Sequence, residues 1–204
     1  MSQEELIRHL KENVRLLTNP RLEAAFRAIP RADFVPEKLR DEAYEDYPLP
    51  IGFGATISQP TTVAFMLEKL DVHPGQKILD VGSGSGWTTT LLAYLVGEKG
   101  KVIGLEIVPE LVALGQKNLA KFHSYIPRNV GMSGGSAEIR QAEKGVVGLA
   151  VEGPFDRILV SAAAREIPKE VIGQLKPNGV MVLPVGEEGA VQKLVRVHKK
   201  ANNA

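Results

Sequence analysis

The chain has 204 residues, no cysteine, and 25 Lys+Arg against 24 Asp+Glu for a formal net charge of +1. That length fits one α/β-sized domain with a sizeable core, and 44% hydrophobic with 24% charged residues is the composition of a globular chain. Balanced charge leaves no bulk positive field for holding nucleic acid, and the missing cysteines exclude a disulfide scaffold, a thiolate metal site and a cysteine nucleophile.

The first residues, MSQEELIRHLKENV, read as an amphipathic helix rather than a secretory signal, with Leu6, Leu10, Val14 and Leu17 on one face. No apolar run reaches the length of a membrane span, so a cytoplasmic protein with no membrane partner is expected. Pro20 opens a second helix carrying Leu22, Ala25, Phe26 and Ile29, which Pro30 stops. From 31 to 60 the chain is rich in Pro, Gly, Tyr and Asp without a sustained period; a loop of that length inside a compact domain implies a job. Helix returns at 60–70, with Val63, Leu67 and Leu70 on one face.

Beyond Pro74-Gly75 the pattern alternates. Strands are predicted at 77–81, 101–107, 137–142, 156–161, 179–185 and 190–197, and helices at 88–96, 109–121 and 167–175. The segment 131–136 reads as a Gly-rich flexible loop. Strands alternating with helices mean βαβ units and a mostly parallel sheet, with residues 1–69 expected to build the substrate side and 70–204 the cofactor-binding core.

The sharpest motif is Asp80-Val81-Gly82-Ser83-Gly84-Ser85-Gly86-Trp87, between a predicted strand and a predicted helix. Glycines let the backbone turn tightly and approach a ligand, and the helix N-terminus presents unpaired N–H groups. Twenty residues after Gly86, Glu106 stands at the end of the next strand, placed to accept from both ribose hydroxyls of an adenosine. The spacing is G-x-G-x-G rather than G-x-G-x-x-G, and Asp80 precedes it. A carboxylate facing the loop suits the ammonium of S-adenosylmethionine better than the pyrophosphate of NAD. Asp80 as a capping or turn-bonding carboxylate is the alternative.

The string Ile51-Gly52-Phe53-Gly54-Ala55-Thr56-Ile57-Ser58-Gln59-Pro60, followed by the glycine loop, resembles the protein-L-isoaspartate O-methyltransferase family. Further matching segments are Gly153-Pro154-Phe155-Asp156-Arg157-Ile158, Ser161-Ala162-Ala163-Ala164, Ile167-Pro168, Leu175-Lys176-Pro177-Asn178-Gly179, Leu183-Pro184-Val185-Gly186 and Gln192-Lys193-Leu194. The resemblance implies a Rossmann-like, class I S-adenosylmethionine-dependent methyltransferase fold with an N-terminal helical and loop substrate region. It implies methyl transfer to the α-carboxyl of L-isoaspartyl residues in damaged proteins and peptides, after which the ester closes to a succinimide that hydrolyses partly to aspartate.

By the same resemblance Ser58 is the active-site residue, with Thr56, Ile57 and Gln59 around it on the cofactor side. Asp80, Gly82, Ser83, Gly84, Gly86 and Glu106 hold the cofactor, and Gln192 falls where the C-terminal part approaches it. The family's Gly-Asp-Gly, whose Asp bonds the adenine amino group, corresponds here to Glu143-Lys144-Gly145. A lysine cannot accept from an amine, so Glu143 or backbone oxygens are the remaining acceptors. There is also an apparent insertion at 126–136. Methylation of another carboxylate, adenosine binding without turnover and, more distantly, an NAD-dependent oxidoreductase are the rival readings.

Several residues have plainer readings. Ser58 is a favoured N-cap residue for the helix at 60, and Trp87 packs either beside the cofactor or between helix and sheet. Tyr44 and Tyr47 either line a peptide cleft or anchor the loop. His9, His73, His123 and His198 lack metal-ligand spacing, and Lys199-Lys200 reads as a solvated tail.

Overall fold

The computed structural model describes residues 1–122, 137–162, 164–187 and 191–201. The readings for 126–136, 131–136, His123 and Ala163 lie outside them. Helix α1 (Gln3–Arg8) opens on a capping box: the Ser2 hydroxyl accepts the Glu5 N–H while the Glu5 carboxylate accepts the Ser2 N–H. It passes into a π-helical turn at His9–Asn13 and ends there. Leu17, expected on the helical face with Leu6 and Leu10, is instead buried from a left-handed turn at φ 56°. Helix α2 (Pro20–Ala28) follows the sequence reading, with the Asn19 side chain accepting the Arg21 N–H and Pro20 in the first turn.

The stretch from 31 to 60 is more ordered than its sequence suggests. It contains 3-10 turns at Arg31–Phe34 and Glu37–Glu42 and an antiparallel hairpin of β1 (Leu49–Gly52) and β2 (Ala55–Ile57). Strands of four and three residues are too short to show a period of two. Helix α3 (Pro60–Leu70) then buries Val63, Leu67 and Leu70 as expected.

The remaining chain supplies β3 (Lys77–Val81), α4 (Trp87–Val96), β4 (Lys101–Glu106), α5 (Pro109–Ala120), β5 (Ala137–Gln141), β6 (Phe155–Val160), α6 (Lys169–Gly173), β7 (Leu175–Val185) and β8 (Lys193–His198). The six-stranded sheet has the order β5-β4-β3-β6-β7-β8, parallel except for the antiparallel β7–β8 pair. The helix expected at 167–175 is shorter than predicted, because Leu175 already pairs with Phe155 and β7 begins there rather than at 179.

Alternate residues of each parallel strand face opposite sides. Ile78, Val102, Leu159 and Val180 share one apolar cluster with Leu6, Phe26, Phe34 and Ile57, so the N-terminal elements pack into the same core as that face of the sheet. Leu79, Ile103, Ile158 and Met181 pack on the other face with Val171 of α6. Among the described residues no helix is long and apolar enough to cross a membrane.

The chain leaves β3 toward β4 and β5 and returns on its other side as β6. Strand order therefore reverses at β3, and the carboxyl end of that strand opens a crevice where open α/β sheets bind ligands.

Candidate active site

The glycine loop occupies that crevice. The Gly82 and Ser83 N–H groups both donate to the Leu105 carbonyl (2.8 and 2.9 Å), and the Gly86 N–H donates to the Ser83 carbonyl (2.8 Å). Gly86 is the N-cap of α4 at φ 91°, a conformation L side chains rarely adopt. Helix α5 backs the loop at Gly115, where a Cβ would stand 3.0 Å from the Gly84 carbonyl oxygen and 2.8 Å from Ile139 Cδ1. Gly115→Ala gains helix propensity but presses on the Gly84 carbonyl, so it is expected to leave thermal stability nearly unchanged and weaken S-adenosylhomocysteine binding by about tenfold. Calorimetric titration beside a melting curve separates the two effects.

Glu106 is buried at the end of β4 and organises both flanks of the crevice. Its Oε2 accepts the Gly84 N–H (2.9 Å), and its Oε1 accepts the N–H groups of Ile107 (2.7 Å) and Val108 (3.0 Å). A carboxylate has about four lone-pair sites, so one position remains for a ligand hydroxyl.

Asp80 is fully buried at β3, outside both linings. Its Oδ2 accepts the hydroxyls of Thr88 (2.7 Å) and Thr89 (2.6 Å) in the first turn of α4, and its Oδ1 has no partner among the described residues. Burial pushes its pKa up to about 6, against the two threonine hydroxyls that favour the charged form. A carboxyl whose folded pKa exceeds its unfolded value gives stability that is present below about pH 4 and lost as pH rises through about 6. Asp80→Asn removes this titration. The stability of the wild type relative to the variant is therefore expected to fall by up to about 3 kcal/mol between pH 4 and 7, read by urea unfolding across that range.

Ser58 lies across the crevice, between β2 and α3. It is not the N-cap of α3: Gln59 holds that position, and Asp46 Oδ1 accepts the Thr61 N–H (2.9 Å). The Ser58 hydroxyl makes no hydrogen bond among the described residues, while its carbonyl accepts from Arg31 Nη2 (3.1 Å). A cleft of about 680 Å³ is lined by Thr56, Gly82, Gly84, Glu106, Glu143 and Gly145, among others. A smaller pocket of about 50 Å³ shares Thr56, Gly82, Gly84 and Ser161 with it and adds Ile57, Ser58, Ser83 and Trp87. The expected acceptor-side residue thus lines a pocket that shares walls of the glycine loop with the larger cleft.

The far wall of the larger cleft is apolar. Ile107, Val146 and Val147 line it with about half of each side chain bare (53%, 52% and 49% exposed). The backbone of this wall is fastened by Gln174, whose Oε1 accepts the Leu149 N–H (2.7 Å) and whose Nε2 donates to the Val147 carbonyl (3.0 Å). Nothing in the local sequence marks Gln174; its position 27 residues after Val147 becomes meaningful only once β6 and α6 are folded.

Not every candidate residue faces the cleft. Lys144 is exposed and outside the lining, whereas Glu143 and Gly145 on either side of it are part of the wall. Gln59 turns its amide to Asp46, donating to its carbonyl (2.9 Å) and carboxylate (3.2 Å). Gln192 lies beside Gly186 at the β7–β8 connection, outside both linings, with its amide 3.5 Å from the Glu187 carbonyl. Trp87 is buried, donates to the Ile29 carbonyl (3.3 Å) and meets Phe26 edge-on. Tyr47 anchors its own loop through Glu42 (2.7 Å), and Tyr44 packs half-buried against the core. Among the described residues no three His, Cys, Asp or Glu side chains gather as a metal site.

The whole chain, residues 1–204, matches the family described as protein-L-isoaspartate(D-aspartate) O-methyltransferase. A protein-L-isoaspartate O-methyltransferase of Methanopyrus kandleri is 42% identical over 200 residues, covering 97% of this chain and 82% of the relative. One from Anaeromyxobacter dehalogenans is 46% identical over 183 residues, covering 87% and 78%. A crystal structure from Plasmodium falciparum, assigned to the same enzyme and in complex with S-adenosyl-L-homocysteine, superposes with a TM-score of 0.83 at 28% identity, covering 98% of this chain and 91% of its own. A match that runs from the first residue to the last, with relatives 42% and 46% identical over most of both chains, places this chain in the protein-L-isoaspartate O-methyltransferase family.

Proposed function

We propose that the chain transfers a methyl group from S-adenosylmethionine to the free carboxylate of L-isoaspartyl residues in damaged proteins and peptides. The observation that carries this reading is Ser58, whose hydroxyl makes no hydrogen bond among the described residues, lining a pocket that shares Thr56, Gly82, Gly84 and Ser161 with the larger cleft. The cleft volume lies within the range of small-molecule sites, roughly 300–1,000 Å³. Its lining also fits the cofactor: the bare faces of Ile107, Val146 and Val147 suit a purine, and Glu106 retains an acceptor position for the ribose. Ser83 Oγ, buried and without a hydrogen-bond partner among the described residues, adds a polar group to the pocket that Ser58 lines. Glu143 is the carboxylate on the adenine-side wall, where Lys144 supplies no acceptor.

When bound, S-adenosylmethionine supplies an activated methyl on a sulfonium with a neutral leaving group. The substrate carboxylate, with an unperturbed pKa of about 3.5–4, is ionised near pH 7 and requires no general base. The protein therefore acts by placement. Ser58 donates to one carboxylate oxygen and leaves the other free, Thr56 and the glycine loop wall the shared space, and buried Ile57 and Trp87 limit water at the smaller pocket. Tritiated methyl transfer to an isoaspartyl peptide, with its aspartyl twin as control, tests the reading. Base-labile label on the isoaspartyl peptide alone is expected; equal label on both, or none on either, sinks it.

A further inference from the structure

Arg31 is an unusual core residue. Only 1% of it is exposed, and among the described residues no carboxylate stands within ion-pair distance, although Asp46 favours its charge from farther away. Its guanidinium is caged by backbone carbonyls. Nη1 donates to Ala43 (2.7 Å) and Glu45 (3.3 Å), and Nη2 to Tyr47 (3.0 Å), Ile57 (3.4 Å) and Ser58 (3.1 Å). Its other side lies against the Trp87 ring, 5.6 Å from the centroid. Burial pushes its pKa down to about 10, so it remains charged near neutrality. Burying a cation costs several kcal/mol, offset here by five carbonyl acceptors and by the charge of Asp46; an apolar residue of similar volume would leave those carbonyls without their donor.

What the guanidinium contributes is geometry. Trp87 is the residue after Gly86, so its ring moves with the glycine loop and the start of α4; Ile57 and Ser58 are the acceptor side. A planar fork between them fixes the separation of the two halves of the pocket, as a flexible ammonium cannot. The same 3-10 turn grips the loop by a second route. Asp33 offers its carbonyl to Lys121 Nζ (3.1 Å), which also donates to Asn118 Oδ1 (2.9 Å), and Asn118 Nδ2 donates to the Ser85 carbonyl (3.0 Å).

We propose that Arg31 is a positioning residue for methyl transfer, setting the Ser58 segment at its working distance from the glycine loop through the Ile57 and Ser58 carbonyls on one side and Trp87 on the other. The proposal rests on the functional reading above. In-line transfer is sensitive to such spacing: a misplacement of about 1 Å costs about 100-fold in rate.

The test compares Arg31→Met, Arg31→Lys and Arg31→Ala with the wild type on an isoaspartyl peptide, well below each variant's melting temperature. For Arg31→Met the expected result is a kcat lowered about 100-fold, with peptide KM and S-adenosylhomocysteine affinity close to wild type. Arg31→Lys, which keeps charge and bulk, is expected to lose about tenfold in kcat, and serves alone if Arg31→Met does not fold. Guanidinium ion, at concentrations far below the unfolding midpoint, is expected to restore kcat in Arg31→Ala and leave the wild type unaffected. Wild-type kcat in a folded variant overturns the proposal. So does a parallel loss of kcat and cofactor affinity without guanidinium rescue, which marks a purely structural arginine. An inactive wild type instead overturns the functional reading, so the two failures are distinguishable.

Discussion

Ser58→Ala is expected to lower turnover on an isoaspartyl peptide by about 10- to 100-fold, with cofactor affinity and melting temperature unchanged. The magnitude is that of one hydrogen bond from a neutral donor to a carboxylate, about 1.5–3 kcal/mol. The stability half of the prediction follows from the cap. Asp46 Oδ1 accepts the Thr61 N–H and its Oδ2 accepts the Thr61 hydroxyl (2.7 Å), so the first turn of α3 does not draw on the Ser58 side chain. A serine acting as the helix cap would instead cost about 1 kcal/mol on truncation and lower the melting temperature. Steady-state kinetics, calorimetry with S-adenosylhomocysteine and a melting curve on one preparation decide the matter. A lowered melting temperature with kcat retained would remove Ser58 from the chemistry.

Glu106→Ala should show the opposite pattern, with cofactor affinity reduced by at least about 100-fold. Three backbone N–H groups, those of Gly84, Ile107 and Val108, converge on this carboxylate. Leaving a buried donor without a partner costs about 1–3 kcal/mol, and here the orphaned donors sit on both flanks of the crevice. The loop loses its tie to the end of β4 as well as the acceptor for the ribose. The melting temperature is expected to fall by about 10 °C, and Glu106→Gln to be intermediate, since its amide oxygen still accepts while its NH₂ opposes an N–H. Equal affinity in wild type and Glu106→Ala, measured calorimetrically, would refute the ribose assignment.

The two variants separate the halves of the site: one residue acts on turnover with the loop intact, the other on the loop itself. Arg31 lies between them. Its variants resemble Ser58→Ala in sparing the cofactor and differ in their response to added guanidinium.

The βαβ alternation, the glycine loop and Glu106 were legible in the sequence because each rests on a local signal. The apolar runs of β3, β4 and β6 report burial on both faces of a parallel sheet, and the glycines mark backbone turns that a side chain obstructs. The spacing from Gly86 to Glu106 is one crossover long, so chain distance fixes the spatial relation. The string around Ser58 was legible as a family resemblance, although a serine before a helix reads equally well as a cap.

Tertiary structure alone decided which groups satisfy which. Asp46, 15 residues from Thr61, accepts its N–H in the first turn of α3, so that turn does not draw on the Ser58 hydroxyl. Asp80 turned inward to Thr88 and Thr89, Gln174 fastened the cleft wall, and Arg31 gathered five carbonyls from segments with little ladder pairing of their own. No periodicity encodes such partners. They are set by the requirement that every buried polar group find a match wherever the packed chain brings one within reach, and that requirement acts only after the sheet and its helices have closed.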